Sequence, residues 1–207
     1  MRAVLKRLVS VIAYASLTAT IIATPVLIEN AVASAATCGS GATMNFVAHE
    51  DDDLLFQSPN LLREIKSGKC LRTVYALAGD AGENDSYWQD REDGVLAAYA
   101  QMMGVSNSWS GSDAGIAGHP ISLFTLNGAT QISLAFMHLP DGAIDGDGFP
   151  RNDYESLQKL YAQTMSEIYP VDGTPPYSLS GLTGTLLALM NAYQPNSINT
   201  RLHRDLR

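Results

Sequence analysis

Two short runs, TMNFVA (43–48) and LRTVYALA (71–78), limit the fold more than any other feature of the chain. Both favour β-branched and aromatic residues and are too short for an amphipathic helix, so each predicts a buried strand. Between them, PNLLREIKSGK places Pro59 at a helix start, Leu61, Leu62 and Ile65 on one face, and Gly68 at the end. The second run leads into a Gly-rich loop, GDAGEND. Residues 86–104 follow, with Val95, Tyr99, Met102 and Met103 at helical spacing and Gly104 as terminator. Strand, helix, strand, helix with short joins predicts an α/β chain built on parallel βαβ units.

The rest of the chain is less regular. A Gly/Ser-rich stretch, SNSWSGSDAGIAGHP, interrupts the alternation. ISLFTL and QISLAFM then flank NGAT, a hairpin signal because Asn-Gly suits the tight turn between paired strands. PDGAIDGDGFP reads as a loop. Residues 153–168 and 179–193 carry apolar side chains at helical spacing and predict two further helices. With 207 residues, 46% of them hydrophobic, one domain with a sizeable core is expected. The formal net charge is −8, and no basic block occurs after the first few positions. That balance argues against nucleic acid as a partner, because phosphate binding needs clustered Lys and Arg.

Arg2, Lys6 and Arg7 precede an uncharged run, LVSVIAYASLTATIIATPVLI, and then AVASAA. A basic start, an apolar middle and an A-x-A end at Ala33, Ser34 and Ala35 predict a secretory signal over residues 1–35 and a mature domain over 36–207. The run is also long enough for an uncleaved anchor. Pro25 and the small-residue end favour cleavage, which leaves no stable membrane span and a secreted protein. No Leu stands three residues before Cys38, which argues against a lipid-modified cysteine. Losing three positive charges and Glu29 would take the net charge from −8 to −10. Export makes a disulfide chemically possible between the only cysteines, Cys38 and Cys70. Each lies shortly before a predicted strand. Parallel neighbours would set those strand starts side by side, so pairing is expected, with two free thiols as the alternative.

The chemistry concentrates in NFVAHEDDDLLF (45–56), where His49 and four carboxylates follow the first strand. In an open parallel sheet, ligands bind beyond the carboxyl ends of the strands. His49 and Asp52, three residues apart in a turn, can converge on one zinc ion, since imidazole nitrogen and carboxylate oxygen are both common ligands. That spacing leaves Asp51 free to take a proton from water. An acidic surface turn capping the next helix explains the same composition, and the residues alone leave both readings open. Asp141, Asp145 and Asp147 in DGAIDGDGF lack the EF-hand spacing and read as a polar turn. Tyr87, Trp88 and Trp109 suit either sugar stacking or core anchoring. His119 and His138 read as surface or loop histidines.

VAHEDDDLLF resembles the AHPDD signature of the PIG-L (LmbE-like) family of zinc-dependent de-N-acetylases. VYALAGDAGENDSYWQDREDGVLAAYAQMMGV, LPDGAIDGDGF and GLTGTLLALMNAYQPNSINT are similar to later family segments, so the likeness spans about residues 43–200. It implies a Rossmann-like, mostly parallel sheet with helices on both faces. It implies an enzyme that removes the N-acetyl group from a small-molecule or glycolipid N-acetylglucosaminide, with one zinc ion as cofactor. His49 and Asp52 match the family's first two metal ligands and Asp51 its general base. Arg91 and Asp141 resemble substrate contacts. Glu50 stands where the family has Pro, and Asp53 where Glu is frequent. The family's third ligand comes from a later HxDH segment. This chain instead reads RLHRDLR, where His203 has the wrong spacing. The expectation is a chain lacking the C-terminal part of the family fold, with weakened metal binding. An inactive fragment or carbohydrate-binding remnant is the alternative.

Overall fold

The computed structural model describes residues 38–200. The expectations for the signal segment and for His203 lie outside those residues. Among the described residues, no helix is long and apolar enough to cross a membrane.

The chain is α/β, with a six-stranded, mostly parallel central sheet. β1 (Ala42–Val47) and β2 (Cys70–Leu77) are parallel neighbours joined through α1 (Asn60–Lys66). α2 (Asp85–Met103) ends at Gly104, whose left-handed φ of 69° costs glycine no Cβ clash. β3 (Trp109–Asp113), β4 (Ser122–Leu126) and β5 (Ile132–Leu139) follow; β3–β4 and β4–β5 are antiparallel, and β5 runs parallel to β2. After α3 (Leu157–Tyr161), a two-stranded ribbon of β6 (Glu167–Ile168) and β7 (Tyr177–Ser178), and α4 (Leu179–Tyr193), β8 (Ser197–Thr200) pairs parallel to β1. The order across the sheet is β3-β4-β5-β2-β1-β8.

Alternate strand residues feed two cores, because successive side chains point to opposite faces. Leu71, Tyr75, Ile132, Leu134 and Phe136 pack with Leu61 and Ile65 of α1 and Val95, Leu96 and Tyr99 of α2. Met44, Val74, Ala135 and Met137 pack with Leu160 of α3 and Leu182 and Leu189 of α4. Both faces are therefore covered by helices. At the amino edge, the register pairs Ala42 with Cys70, and a disulfide joins Cys70 to Cys38 with their Cα atoms 5.2 Å apart.

Two sequence expectations need correction. The Gly/Ser-rich stretch after α2 contains β3, a largely exposed strand at the sheet edge, held by main-chain pairing to β4 rather than by apolar side chains. The helix expected over 153–168 shrinks to α3, five residues long. Asp153, Tyr154 and Gln163 adopt φ values of 50°, 57° and 57°, which stop helical winding on both sides of α3. Ile168 is fully buried and pairs with Tyr177 in the ribbon, so tertiary burial outweighs helical spacing there.

Candidate functional site

From β1 the chain passes to β2, crosses to β3 at the edge and returns through β4 to β5, all on one side of β1, and β8 lies on the other side. β1 is thus the strand at which the order reverses, and the crevice beyond its carboxyl end is where open α/β sheets bind ligands. Residues 48–53 sit there. β2 and β5 end alongside: the N–H of Leu77 donates to the Ala48 carbonyl, and the N–H of Ala78 to the Leu139 carbonyl.

The five ionisable residues go to separate places. The Asp52 carboxylate turns back and accepts from the N–H of His49 (2.9 Å) and of Ala48 (3.2 Å), so it closes the strand end and is pinned beside the His49 ring. Asp52 Oδ2 lies 3.7 Å from His49 Nδ1. Asp141, just beyond β5, places Oδ2 3.7 Å from His49 Nε2. His49 therefore stands between two carboxylates at ion-pair range, and its Nε2 is buried with no hydrogen bond. Asp141 first and Asp52 second push His49 up to about 10, against the burial that pulls it down. His49 in turn holds Asp141 below its ordinary value.

Asp51 is exposed, and its Oδ1 accepts from Arg91 Nη2 at 3.2 Å. Glu50 points the other way and is buried; its Oε2 accepts from Arg91 Nε at 3.0 Å. Burial pushes the Glu50 carboxyl up to about 7, and Arg91 opposes that rise. Asp53 enters the core below α2 and accepts from the Tyr75 hydroxyl (2.8 Å) and from the Tyr99 hydroxyl. Burial raises its pKa despite these donors. Asp53 also ends a polar chain beneath β1: Asn199 donates to Asn45, Asn45 to Thr73, and Thr73 shares a proton with Tyr99. Asp53 is therefore a core residue held by two tyrosines, apart from the exposed Asp51.

Sequence reasoning missed two further groups. Asp80, buried after β2, accepts from the Asp141 N–H (2.8 Å), the Gly82 N–H (3.0 Å) and Asn152 Nδ2 (2.7 Å), which fixes the loop that carries Asp141. His138, expected as a surface or loop residue, is 4% exposed and sits near the end of β5. Its Nε2 is 2.5 Å from Glu92 of α2 and its Nδ1 2.8 Å from Asp172, and its carbonyl accepts from the Val171 N–H. Burial pulls its pKa down, but Asp172 and Glu92 outweigh it and raise the value to about 9. Trp88 is buried with its ring 4.9 Å from His138, and Trp109 packs at the edge of the first core. Of the three aromatics with sugar-stacking potential, Tyr87 is the exposed one.

A cavity of about 470 Å³ lies against His49 and Asp52, with apolar walls from Phe46, Val47, Leu77, Leu157 and Leu186. A larger one, about 800 Å³, opens between α3, β6 and the start of α4, but no ionisable side chain lines it. Of these two cavities, only the first is lined by ionisable side chains.

The donor set can be tested against zinc. Two ligand atoms at bond lengths of about 2.0–2.1 Å in a tetrahedral site stand roughly 3.3–3.4 Å apart. The 3.7 Å between His49 Nδ1 and Asp52 Oδ2 is within a few tenths of that. A ligating imidazole usually directs its other N–H at a carboxylate, and Asp141 stands at Nε2. The spacing of these two donors suits a metal, with Asp52 Oδ2 also accepting the two backbone N–H groups. Among the described residues no group of three His, Cys, Asp or Glu side chains is arranged to hold one. Comparison with known proteins finds no matching family model, no matching curated protein and no matching solved structure.

Proposed function

We propose that the chain is a secreted, zinc-dependent amide hydrolase of the PIG-L type, acting on the N-acetyl group of a glucosamine-containing substrate. The observation that carries the reading is the convergence of His49 and Asp52 beyond the carboxyl end of β1, with Asp141 behind the ring. In this reading the sheet is the Rossmann-like sheet of that family, and export agrees with the Cys38–Cys70 bridge. His49 Nδ1 and Asp52 would hold the ion. When bound, it would polarise the amide carbonyl and acidify a water. Asp141 keeps a proton on Nε2, and a bound ion would take the place of the Nδ1 proton that Asp52 otherwise favours. The N–H groups of Ala48 and His49 fix the Asp52 carboxylate. Asp51, exposed and next in sequence to Asp52, accepts the proton of the attacking water, and Arg91 beside it donates to a substrate oxygen.

The test measures zinc content and amine release from N-acetylglucosamine for the full chain and three variants. Bound zinc should disappear in His49→Ala and Asp52→Ala. It should persist in Asp51→Asn, while turnover falls by about 10²–10⁴. Equal zinc in all four proteins would refute the assignment. A binding site without turnover is the second reading, favoured because two metal ligands rather than three come together among the described residues. Saturable sugar binding by a chain that releases no amine would establish it.

A further inference from the structure

Glu50 is hard to explain as a stabilising residue. It is 3% exposed, and its Oε1 is buried with no hydrogen-bond partner. A buried carboxylate with one oxygen unsatisfied is costly, and a well-packed apolar side chain of similar size is often as stable or more so. The other oxygen, Oε2, meets Arg91 Nε at 3.0 Å, across 41 residues of sequence. Space for this pair exists because residue 79 has no side chain. A Cβ there would stand 2.6 Å from Glu50 Oε2 and 2.7 Å from Arg91 Nε, and its φ of +59° also disfavours any other residue. The same guanidinium then reaches Asp51 Oδ1 through Nη2 at 3.2 Å. Glu50 and Asp51, adjacent in sequence, thus grip two different nitrogens of one arginine.

We propose that Glu50 is the positioning residue of this site: seated over Gly79, it holds the Arg91 guanidinium beside Asp51 in the orientation that meets substrate. An arginine on a helix surface otherwise samples many rotamers, and ordering it at the moment of binding weakens affinity. A charged pair whose own burial is unfavourable removes that cost in advance. The functional half of this inference rests on the hydrolase reading above; the structural half does not.

The experiment uses the full chain labelled with ¹⁵N, reading the Arg91 Nε–H resonance assigned by its loss in Arg91→Lys. The resonance should exchange slowly in the parent protein, persist in Glu50→Gln, whose amide oxygen accepts the same bond, and vanish in Glu50→Leu. With N-acetylglucosamine as substrate, Glu50→Leu should raise KM about two- to tenfold with kcat little changed. Glu50→Gln should restore KM, and Glu50→Leu should add nothing in an Arg91→Lys background. Should Glu50→Leu fail to fold, Gly79→Ala must displace the pair and abolish the same resonance. An Arg91 Nε–H signal unchanged in these variants overturns the proposal, as does an equal KM penalty in both backgrounds. If the parent chain neither binds zinc nor releases amine, the hydrolase reading falls, and the Nε–H signal alone decides the role of Glu50.

Discussion

Replacing His138 with Gln should remove a stabilising charge that depends on pH in a defined direction. His138 is buried between Glu92 and Asp172, and these carboxylates raise it from 6.5 to about 9. A group whose folded-state pKa is raised stabilises the fold while protonated, because the folded state holds the proton more tightly than the unfolded chain. The stabilisation is fully present below pH 6.5, declines as the unfolded chain loses the proton first, and is gone once pH passes about 9. At about 1.4 kcal/mol for each pH unit between the two values, the full effect is about 3 kcal/mol. Glutamine retains a hydrogen-bonding side chain but no charge. The assay is urea unfolding of parent and His138→Gln proteins at intervals from pH 5.5 to 10. Their stability gap should be widest near pH 6 and narrow by up to about 3 kcal/mol toward pH 10. Titrating groups out of contact with His138, His49 included, cancel in the difference, whereas Glu92 and Asp172 lose a partner in the variant and belong to the measured gap. A gap that stays constant across the range, or widens with pH, would refute the argument that His138 is folded as a cation.

Asp53→Ala should destabilise the fold by about 2–4 kcal/mol, because it removes the acceptor shared by the buried Tyr75 and Tyr99 hydroxyls and opens a void. Urea unfolding measures this, and a loss below about 0.5 kcal/mol would show that the tyrosines find other partners. Replacing both Cys38 and Cys70 with Ser should cost about 2–4 kcal/mol, the range for a link closing a separation of 32 residues. Equal stability of the parent protein with and without reductant would contradict it.

The alternation of short apolar runs with amphipathic spans was enough to determine an α/β chain, β1 beside β2, the two long helices and the β4–β5 hairpin. Apolar runs of that length can bury their backbone only by pairing, and parallel pairing needs a crossover. It also singled out residues 49–53 as the candidate site, since a histidine and four carboxylates directly after a buried strand must leave the core or find partners. Which of them leave was decided by the tertiary structure alone. Asp53 meets tyrosines 22 and 46 residues away, Glu50 meets an arginine 41 residues away, and His49 meets Asp141 from another strand end. No local spacing encodes those partners, because a tight turn sends neighbouring side chains in different directions and each is captured by whatever the sheet order brings alongside. Residues 153–168 failed for the same reason. Their helical spacing was real, but Ile168 gained more by burial in the second core, paired with Tyr177, than by one more turn of helix.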